Sequence, residues 1–457
     1  MAPLQLPTEP RPPRAHFPAV SRSPRDTILQ SERPPLPTEL HREPRRVRLA
    51  LAGCGVVGGG LIRLLHETAP SIASRFGVTF DITAVLVRDV ARQRNLPIDP
   101  VRFTDDLAHF LSCEADVVVE AVGGDEPARA IASHALTTGR KFITANKDLI
   151  AVHGAALATL AAERRVGLDF GAAVGGSAPV ISTLRDVLRD STPTSVRAIL
   201  NGTSNYVLSE IERGVSFDAA LGAARSKGLA ESDCSKDLDG RDAAAKLRII
   251  AWTAFGVQPH ELDVRRISLP EDPTRLVQCA CRVGGRLRLI GECVQLSVNT
   301  ISASVEPTIV ARDTGFGRTH LEENRVEIDL GLDAPVSVSG AGAGGEPTAT
   351  ALLADLVGAP HAHNERRAET SFVSVPDERG HRWFVSALIP FDGLQTVAAE
   401  AEIAVERTIP GGSFSAVVTD AVPWQRVQKL LAVLDGVGAE PNIARYELSV
   451  ANEEARR

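Results

Sequence analysis

The chain has 457 residues, and its 50 basic against 57 acidic side chains leave a formal net charge of −7. That balance argues against a nucleic-acid or anionic-membrane binder, whereas 44% hydrophobic and 23% charged residues are ordinary for a soluble globular enzyme. The length predicts about two or three domains. With no run of 18 apolar residues, no signal-peptide core and six scattered cysteines lacking a CxxC, the expected location is a reducing compartment, the cytoplasm.

Residues 1–45 hold 11 of the 29 prolines and little apolar periodicity, which predicts a disordered tail. From Arg46 the pattern alternates. Val47–Ala52, Ile82–Val87, Ala115–Val122 and Phe142–Thr144 read as buried strands, and helical patterns begin at Leu61–His66, Pro127–Leu136 and Ala155–Arg164. Strands and helices alternating in this way predict a parallel sheet covered on both faces. Longer helices follow at Val180–Leu188, Tyr206–Glu212, Phe217–Lys227 and Arg241–Phe255, then strand-rich sequence from Val264 to Val338, as in an α+β domain. Near the end, Arg382–Leu388, Leu394–Ala404, Ser413–Val418, Val427–Leu434 and Arg445–Val450 read as strand, helix, strand, helix, strand, a small ferredoxin-like module.

The first chemical motif is Gly53-Cys54-Gly55-Val56-Val57-Gly58, a GxGxxG directly after a strand and before a helix. The first glycine permits a tight turn, the second lets backbone approach a pyrophosphate, and the third packs helix on strand; the helix N-terminus then offers N–H groups and partial positive charge. After the second strand comes Val87-Arg88-Asp89, with Arg92 and Arg94 behind. Arg88 suits the 2′-phosphate of NADP, while Asp89 keeps NAD open, because an acid there binds ribose hydroxyls. Arginine is abundant enough in this chain for the cluster to be plain solvated surface.

Lysine is scarce. Six lysines (Lys141, Lys147, Lys227, Lys236, Lys246, Lys429) stand against 44 arginines among the 50 basic residues. Arginine stays protonated, whereas a desolvated lysine moves a proton, so lysines kept at Lys147 and Lys246 are candidates for chemistry. Lys147 follows a strand end, where ligands of open parallel sheets sit. Between Lys227 and Lys246 lie Glu231, Asp233, Asp237, Asp239 and Asp242. Asp242 and Lys246 are four apart on a predicted helix and share a face; the set suits a substrate with an ammonium group and a hydroxyl that exchanges a proton. The competing reading is a solvated acidic loop followed by a surface ion pair. Asn201-Gly202-Thr203-Ser204-Asn205-Tyr206 opens another helix with Thr203 or Ser204 as the expected cap. Gly340–Gly345 is a second glycine turn, and His361 with His363 reads as a polar loop rather than a metal site.

Taken in order, GCGVVGGG (53–60), AVGG…EPA (121–128), TANKDLIA (144–151), NGTSNY (201–206), AESD…KDLDGRDAAAKL (230–247) and GAGAGGEPTAT (340–350) resemble the homoserine dehydrogenase family over roughly residues 46 to 360. The resemblance implies an α/β chain with a Rossmann-type NAD(P)-binding domain (46–178), an α+β catalytic and dimerisation domain (179–338), a segment returning to the nucleotide domain (339–365) and an ACT-like regulatory domain (370–457). It implies NAD(P)-dependent interconversion of L-homoserine and L-aspartate 4-semialdehyde, on the route to threonine, methionine and isoleucine, by a homodimer with small-molecule partners. Lys246 and Lys147 would handle the hydroxyl proton, a neutral lysine accepting it on oxidation, and Asp242 would orient Lys246. Glu231 and Asp237 would hold the α-ammonium, with Gly202 and Thr203 beside the substrate. The cofactor would lie against Gly53, Gly55, Val56, Val57, Gly58, Arg88, Gly123, Thr144, Lys147, Gly342 and Gly344. Some members hold a sodium ion on backbone carbonyls, here those of Gly171, Val174, Gly176 and Ala178, with Gly171 where the family usually has glutamate. Two rival readings are an aspartate-semialdehyde dehydrogenase with Cys113 or Cys234 as nucleophile, which lacks a paired base, and a non-catalytic ligand-sensing paralogue.

Overall fold

The apolar runs that end in glycine or in a polar turn build the first sheet. A computed structural model describes residues 43–230, 233–342, 344–358, 372–411 and 414–448. The first six strands, β1 (Arg45–Ala52), β2 (Val78–Leu86), β3 (Phe103–Thr104), β4 (Val117–Glu120), β5 (Lys141–Thr144) and β6 (Leu168–Asp169), are all parallel. Their order is β3-β2-β1-β4-β5-β6. This is the Rossmann arrangement, and the order reverses beside β1, so the carboxyl ends of β1 and β4 flank the crevice where ligands of such sheets bind. Helices α1 (Val56–Phe76), α2 (Leu107–Ser112), α3 (Ala128–Thr137) and α4 (Lys147–Arg164) connect the strands. β1 begins inside the predicted tail: Arg45 N–H donates to the Gly77 carbonyl (2.8 Å), and Arg46 pairs with Asp81.

A second set of elements follows. The single helix expected over Val180–Leu188 is instead a short turn α5 (Val180–Ser182) and a wider π turn (Thr183–Val187), which carries Arg185 to the buried Asp169 (2.8 Å). Next come β7 (Ser195–Ile199), α6 (Gly202–Glu212), α7 (Phe217–Ser226), α8 (Ser235–Leu238), α9 (Arg241–Phe255) and β8 (Val264–Arg266). The strand-rich stretch also contains a helix, α10 (Thr274–Arg282), whose buried Leu276, Val277 and Ala280 follow a helical spacing too brief to distinguish from a strand by pattern. The long antiparallel pair β9 (Gly285–Gln295) and β10 (Thr300–Ala311) is followed by α11 (Gly315–Arg318), β11 (Glu323–Asp329) and β12 (Val336–Ala341).

Helix α12 (Gly345–Val357) then returns to the first sheet. Its Ala349, Leu352 and Leu356 share one core with Leu61, Ile62 and Leu65 of α1. Lys141 donates to the Asp355 carbonyl (2.7 Å) and pairs with Asp169 (2.8 Å), so this lysine has a structural role that its sequence context did not announce.

The remaining elements are β13 (Val373–Ser374), β14 (Trp383–Ala387), α13 (Phe391–Glu400), β15 (Val405–Gly411), β16 (Phe414–Thr419), α14 (Trp424–Gly436) and β17 (Asn442–Tyr446). From β14 onward this is βαββαβ with sheet order β17-β14-β16-β15, the ferredoxin-like topology. Sequence reading missed β15, a half-exposed edge strand. The module's sheet is not separate, because β17 pairs in parallel with β10 (Thr308 opposite Arg445) and one 11-stranded sheet runs through both. Glu231, His361, His363 and Ser413 lie outside the described residues. Among those described, no helix is long and apolar enough to cross a membrane.

Candidate active site

The scarce lysines meet across the two sheets. Lys147 is the first residue of α4, directly above the end of β5, and Asp242 and Lys246 occupy the first two turns of α9. These helices lie against each other because Gly154 of α4 leaves room for Trp252 of α9: a Cβ there would come within 2.9 Å of the indole, which itself stacks on Phe170 at 5.5 Å. The packing brings both N-termini, with their partial positive charge, to one cleft.

Asp242 lies at the centre of the group. Its carboxylate accepts from Lys246 Nζ (2.7 Å), pairs with Lys147 Nζ (3.4 Å) and accepts from Asn201 Nδ2 (2.8 Å). Lys246 also donates to the Leu200 carbonyl (2.8 Å), and Asn201 Nδ2 reaches Asp237 as well (2.7 Å). Burial pushes the Asp242 carboxyl up, but the two ammonium groups outweigh it and hold the group at about 2. Lys147 is opposed by burial and raised by Asp242. The easily neutralised lysine expected from sequence is therefore not the resting state for Lys147, because a carboxylate stands against it. Asp237 moves the other way: burial, and then the neighbouring Asp242 charge, raise its carboxyl against the Asn201 hydrogen bond.

Asn201 was not singled out by sequence. It is also the N-cap of α6, its Oδ1 accepting from Ser204 N–H (2.7 Å), so the expected caps are displaced: Thr203 Oγ1 donates to the Leu229 carbonyl (2.7 Å) and Ser204 Oγ to that of Asn201 (3.2 Å). Gly202 packs on Glu322, whose carbonyl accepts from Gly342 N–H (2.8 Å), so the residue just before β11 links the NGTSNY turn to the second glycine loop.

A second missed residue is Glu120, fully buried at the carboxyl end of β4. It accepts from the N–H groups of Val122 (2.7 Å) and Gly123 (3.0 Å) and from Thr144 Oγ1 (2.5 Å). Thr144 in turn accepts from Asn146 N–H (2.9 Å), and Asn146 donates to Gly124 (2.6 Å) while capping α4 through Leu149 N–H (3.1 Å). One carboxylate thus ties the loop after β4 to the loop carrying Lys147. Its sequence signal was present, an acid closing an otherwise apolar parallel strand.

The first glycine loop is open. Gly53 has φ +94° and lies against the Ala121 backbone; Gly58 packs on the Gly53 carbonyl; a Cβ on Gly55 would meet nothing. The N-terminus of α1 has no side-chain cap, and Val56 is exposed, leaving the first-turn N–H groups for a ligand. Gly344 (φ +124°) is the N-cap of α12, and Gly345 abuts Val56, which places the second glycine loop beside the first.

Family models described as "Homoserine dehydrogenase, NAD binding domain" and "Homoserine dehydrogenase" match residues 53–170 and 179–357. Homoserine dehydrogenase of Corynebacterium glutamicum is 32% identical over 339 residues, 72% of this chain and 76% of the relative. That of Mycobacterium tuberculosis is 34% identical over 317 residues, 68% and 71% of the two chains. A crystal structure of a homoserine dehydrogenase from Thiobacillus denitrificans superposes with a TM-score of 0.77 at 28% identity, covering 88% of this chain and 98% of that one. The chain belongs to the homoserine dehydrogenase family.

As a homoserine dehydrogenase it is an NAD(P)-dependent oxidoreductase of amino-acid biosynthesis, and the rival readings are not favoured. Cys113 is half-buried and its thiol raised by burial, and Cys234 is buried. The four residues whose carbonyls were expected to face a sodium ion, Gly171, Val174, Gly176 and Ala178, lie in one turn after β6. The carbonyls of Gly171 and Ala178 already accept from Val174 N–H (3.4 Å) and Val180 N–H (2.8 Å). The space a side chain at Gly171 would fill is taken by the Asp355 carboxyl, 2.7 Å from such a Cβ. Among the described residues, no group of three or more His, Cys, Asp or Glu side chains is placed to hold a metal ion.

Proposed function

We propose that the Lys147–Asp242–Lys246 group transfers the C4 hydroxyl proton in the interconversion of L-homoserine and L-aspartate 4-semialdehyde. The observation that carries this reading is one buried carboxylate shared by two lysines from different domains, at the carboxyl edge of a dinucleotide-binding sheet. In the aldehyde-reducing direction a protonated lysine donates to the oxygen as it gains electrons; in the alcohol-oxidising direction the same lysine accepts the proton. The charge state favoured by Asp242 is the donor. Lys246, fixed by two acceptors, has its third N–H left for the substrate oxygen.

Asp237, and with it Glu231, takes the substrate's α-ammonium. A half-buried carboxyl beside Asp242 with Asn201 as neutral donor gains a compensating cation when that ammonium arrives. Gly202 and Thr203 shape the floor of this pocket.

When bound, the nicotinamide cofactor supplies or takes up the hydride. The uncapped α1 N-terminus with Gly53, Gly55, Val56, Val57 and Gly58 holds its pyrophosphate, and Gly123, Thr144, Lys147, Gly342 and Gly344 border the crevice beyond. NADP is the favoured form. The Asp89 carboxylate is turned into its own loop, accepting from Ala91 N–H (2.9 Å), while Arg88 is exposed and Arg94 is braced on Phe103 (5.1 Å) and the Asp89 carbonyl (2.9 Å). A homodimer is the assembly the family resemblance implies.

The test is cofactor reduction with L-homoserine under NADP and NAD, comparing the wild type with Lys147→Ala and Arg88→Ser. Turnover should fall by about 10²-fold or more in the lysine variant, and the NADP preference should weaken in the arginine variant. Full turnover without Lys147 would overturn the proton-transfer role.

A further inference from the structure

Behind α6, away from the cleft, lies a half-open cavity of about 290 Å³. It is walled by Arg213, Arg286, Arg312, His320 and Cys281, and its one carboxylate is Glu212. A fourth guanidinium, Arg288, is fully buried and shares Glu212 (2.6 Å), which also faces Arg286 (3.6 Å). Arg213 pairs with Glu210 (2.9 Å), and Arg312 has no carboxylate partner among the described residues. Four guanidinium groups thus face two carboxylates. The carboxyl ends of α6 and α10 contribute about half a negative charge each, and a net positive charge remains.

Two further observations fit that excess. Arg288 keeps Nε and Nη2 without hydrogen-bond partners although wholly removed from water, an arrangement that costs stability unless another charge offsets it. The His320 ring faces Arg286, and its pKa is lowered by burial and by Arg286 and Arg288, so the ring is a neutral acceptor rather than a fifth cation. The cavity is at the small end of ligand sites, which limits the occupant to a compact group, and planar guanidinium forks match tetrahedral oxyanions.

We propose that this cavity binds a compact multivalent oxyanion, inorganic phosphate or a phosphomonoester, at a site separate from the catalytic cleft. Arg312 and Arg286 supply the direct contacts, with Arg288 contributing charge from beneath.

The experiment is isothermal titration of the full-length protein at low ionic strength with inorganic phosphate and, separately, glycerol 2-phosphate. The protein is saturated with NADP beforehand, so that the glycine loop does not supply the signal. One site per chain is expected, with affinity reduced about tenfold or more in Arg312→Gln and in Arg286→Gln. Arg312 is exposed and its replacement leaves the fold intact. Tighter binding of the ester would identify an organic phosphate as the ligand, and equal or tighter binding of inorganic phosphate the free anion. Absence of saturable binding to the wild type, or undiminished binding in Arg312→Gln, overturns the proposal.

Discussion

Asp242→Asn separates the charge of the central carboxylate from its shape. Held at about 2 against an ordinary 3.8, the group is stabilised in its charged form by about 2 kcal/mol. The sign for a depressed carboxyl is that this contribution is present above the unfolded value of 3.8 and lost as pH falls toward 2. Lys147 is the reverse case: raised above 10.5, its contribution is present below that value and lost as pH rises through the folded one. Asparagine removes the largest influence raising Lys147 and leaves burial, which lowers it. Asp148 and Asp237 still raise this lysine, but with Asp242 neutralised its pKa falls. The assay is the pH dependence of kcat for aldehyde reduction between pH 7 and 11. Reduction needs the protonated amine, so its alkaline limb should move toward neutrality in the variant. A lowered kcat with an unmoved limb would refute the electrostatic role and leave Asp242 a positioning residue.

Other consequences are accessible to simpler measurements. Glu120→Gln presents an amide to donors that need an acceptor, and should raise the KM for the cofactor about tenfold, with Glu120→Asp partly restoring it; unchanged cofactor kinetics in both would count against the coupling of the two loops. Asp355, pushed to about 7 by burial and by Asp169, binds more protons folded than unfolded, so stability should fall as pH rises from about 4 to 7. Asp355→Asn should therefore raise the melting temperature at pH 8 and lose that advantage near pH 4. Gly154→Val forces a side chain into Trp252 and should destabilise the α4–α9 contact by about 1–3 kcal/mol, seen as a lower urea midpoint.

Much of the nucleotide-binding half was legible because its signals are local. A glycine turn between an apolar strand and a helix, and two residues four apart on one helix, carry their geometry in their spacing. Lys147 and Asp242, 95 residues apart, were legible only as separate motifs, and what joins them is packing through Gly154 and Trp252. Asn201 was hidden because Thr203 and Ser204 are equally good caps by residue type, and the choice depends on Asp237 and Asp242 lying opposite. Glu120 read as part of an apolar strand, since two of its partners are backbone N–H groups that any sequence provides and the third, Thr144, lies on the neighbouring strand. The arginine cavity was illegible for a related reason: in a chain so rich in arginine, only folding shows which guanidiniums converge. Lysine scarcity pointed at Lys147 and Lys246, yet it equally marked Lys141, whose task is to pair with Asp169.

The most direct test of the central claim is single-turnover hydride transfer from saturating L-homoserine to bound cofactor, measured for the wild type and Lys246→Ala. The proton-transfer role predicts a rate about 10²-fold or more lower with cofactor affinity unchanged. An unchanged transfer rate would contradict it.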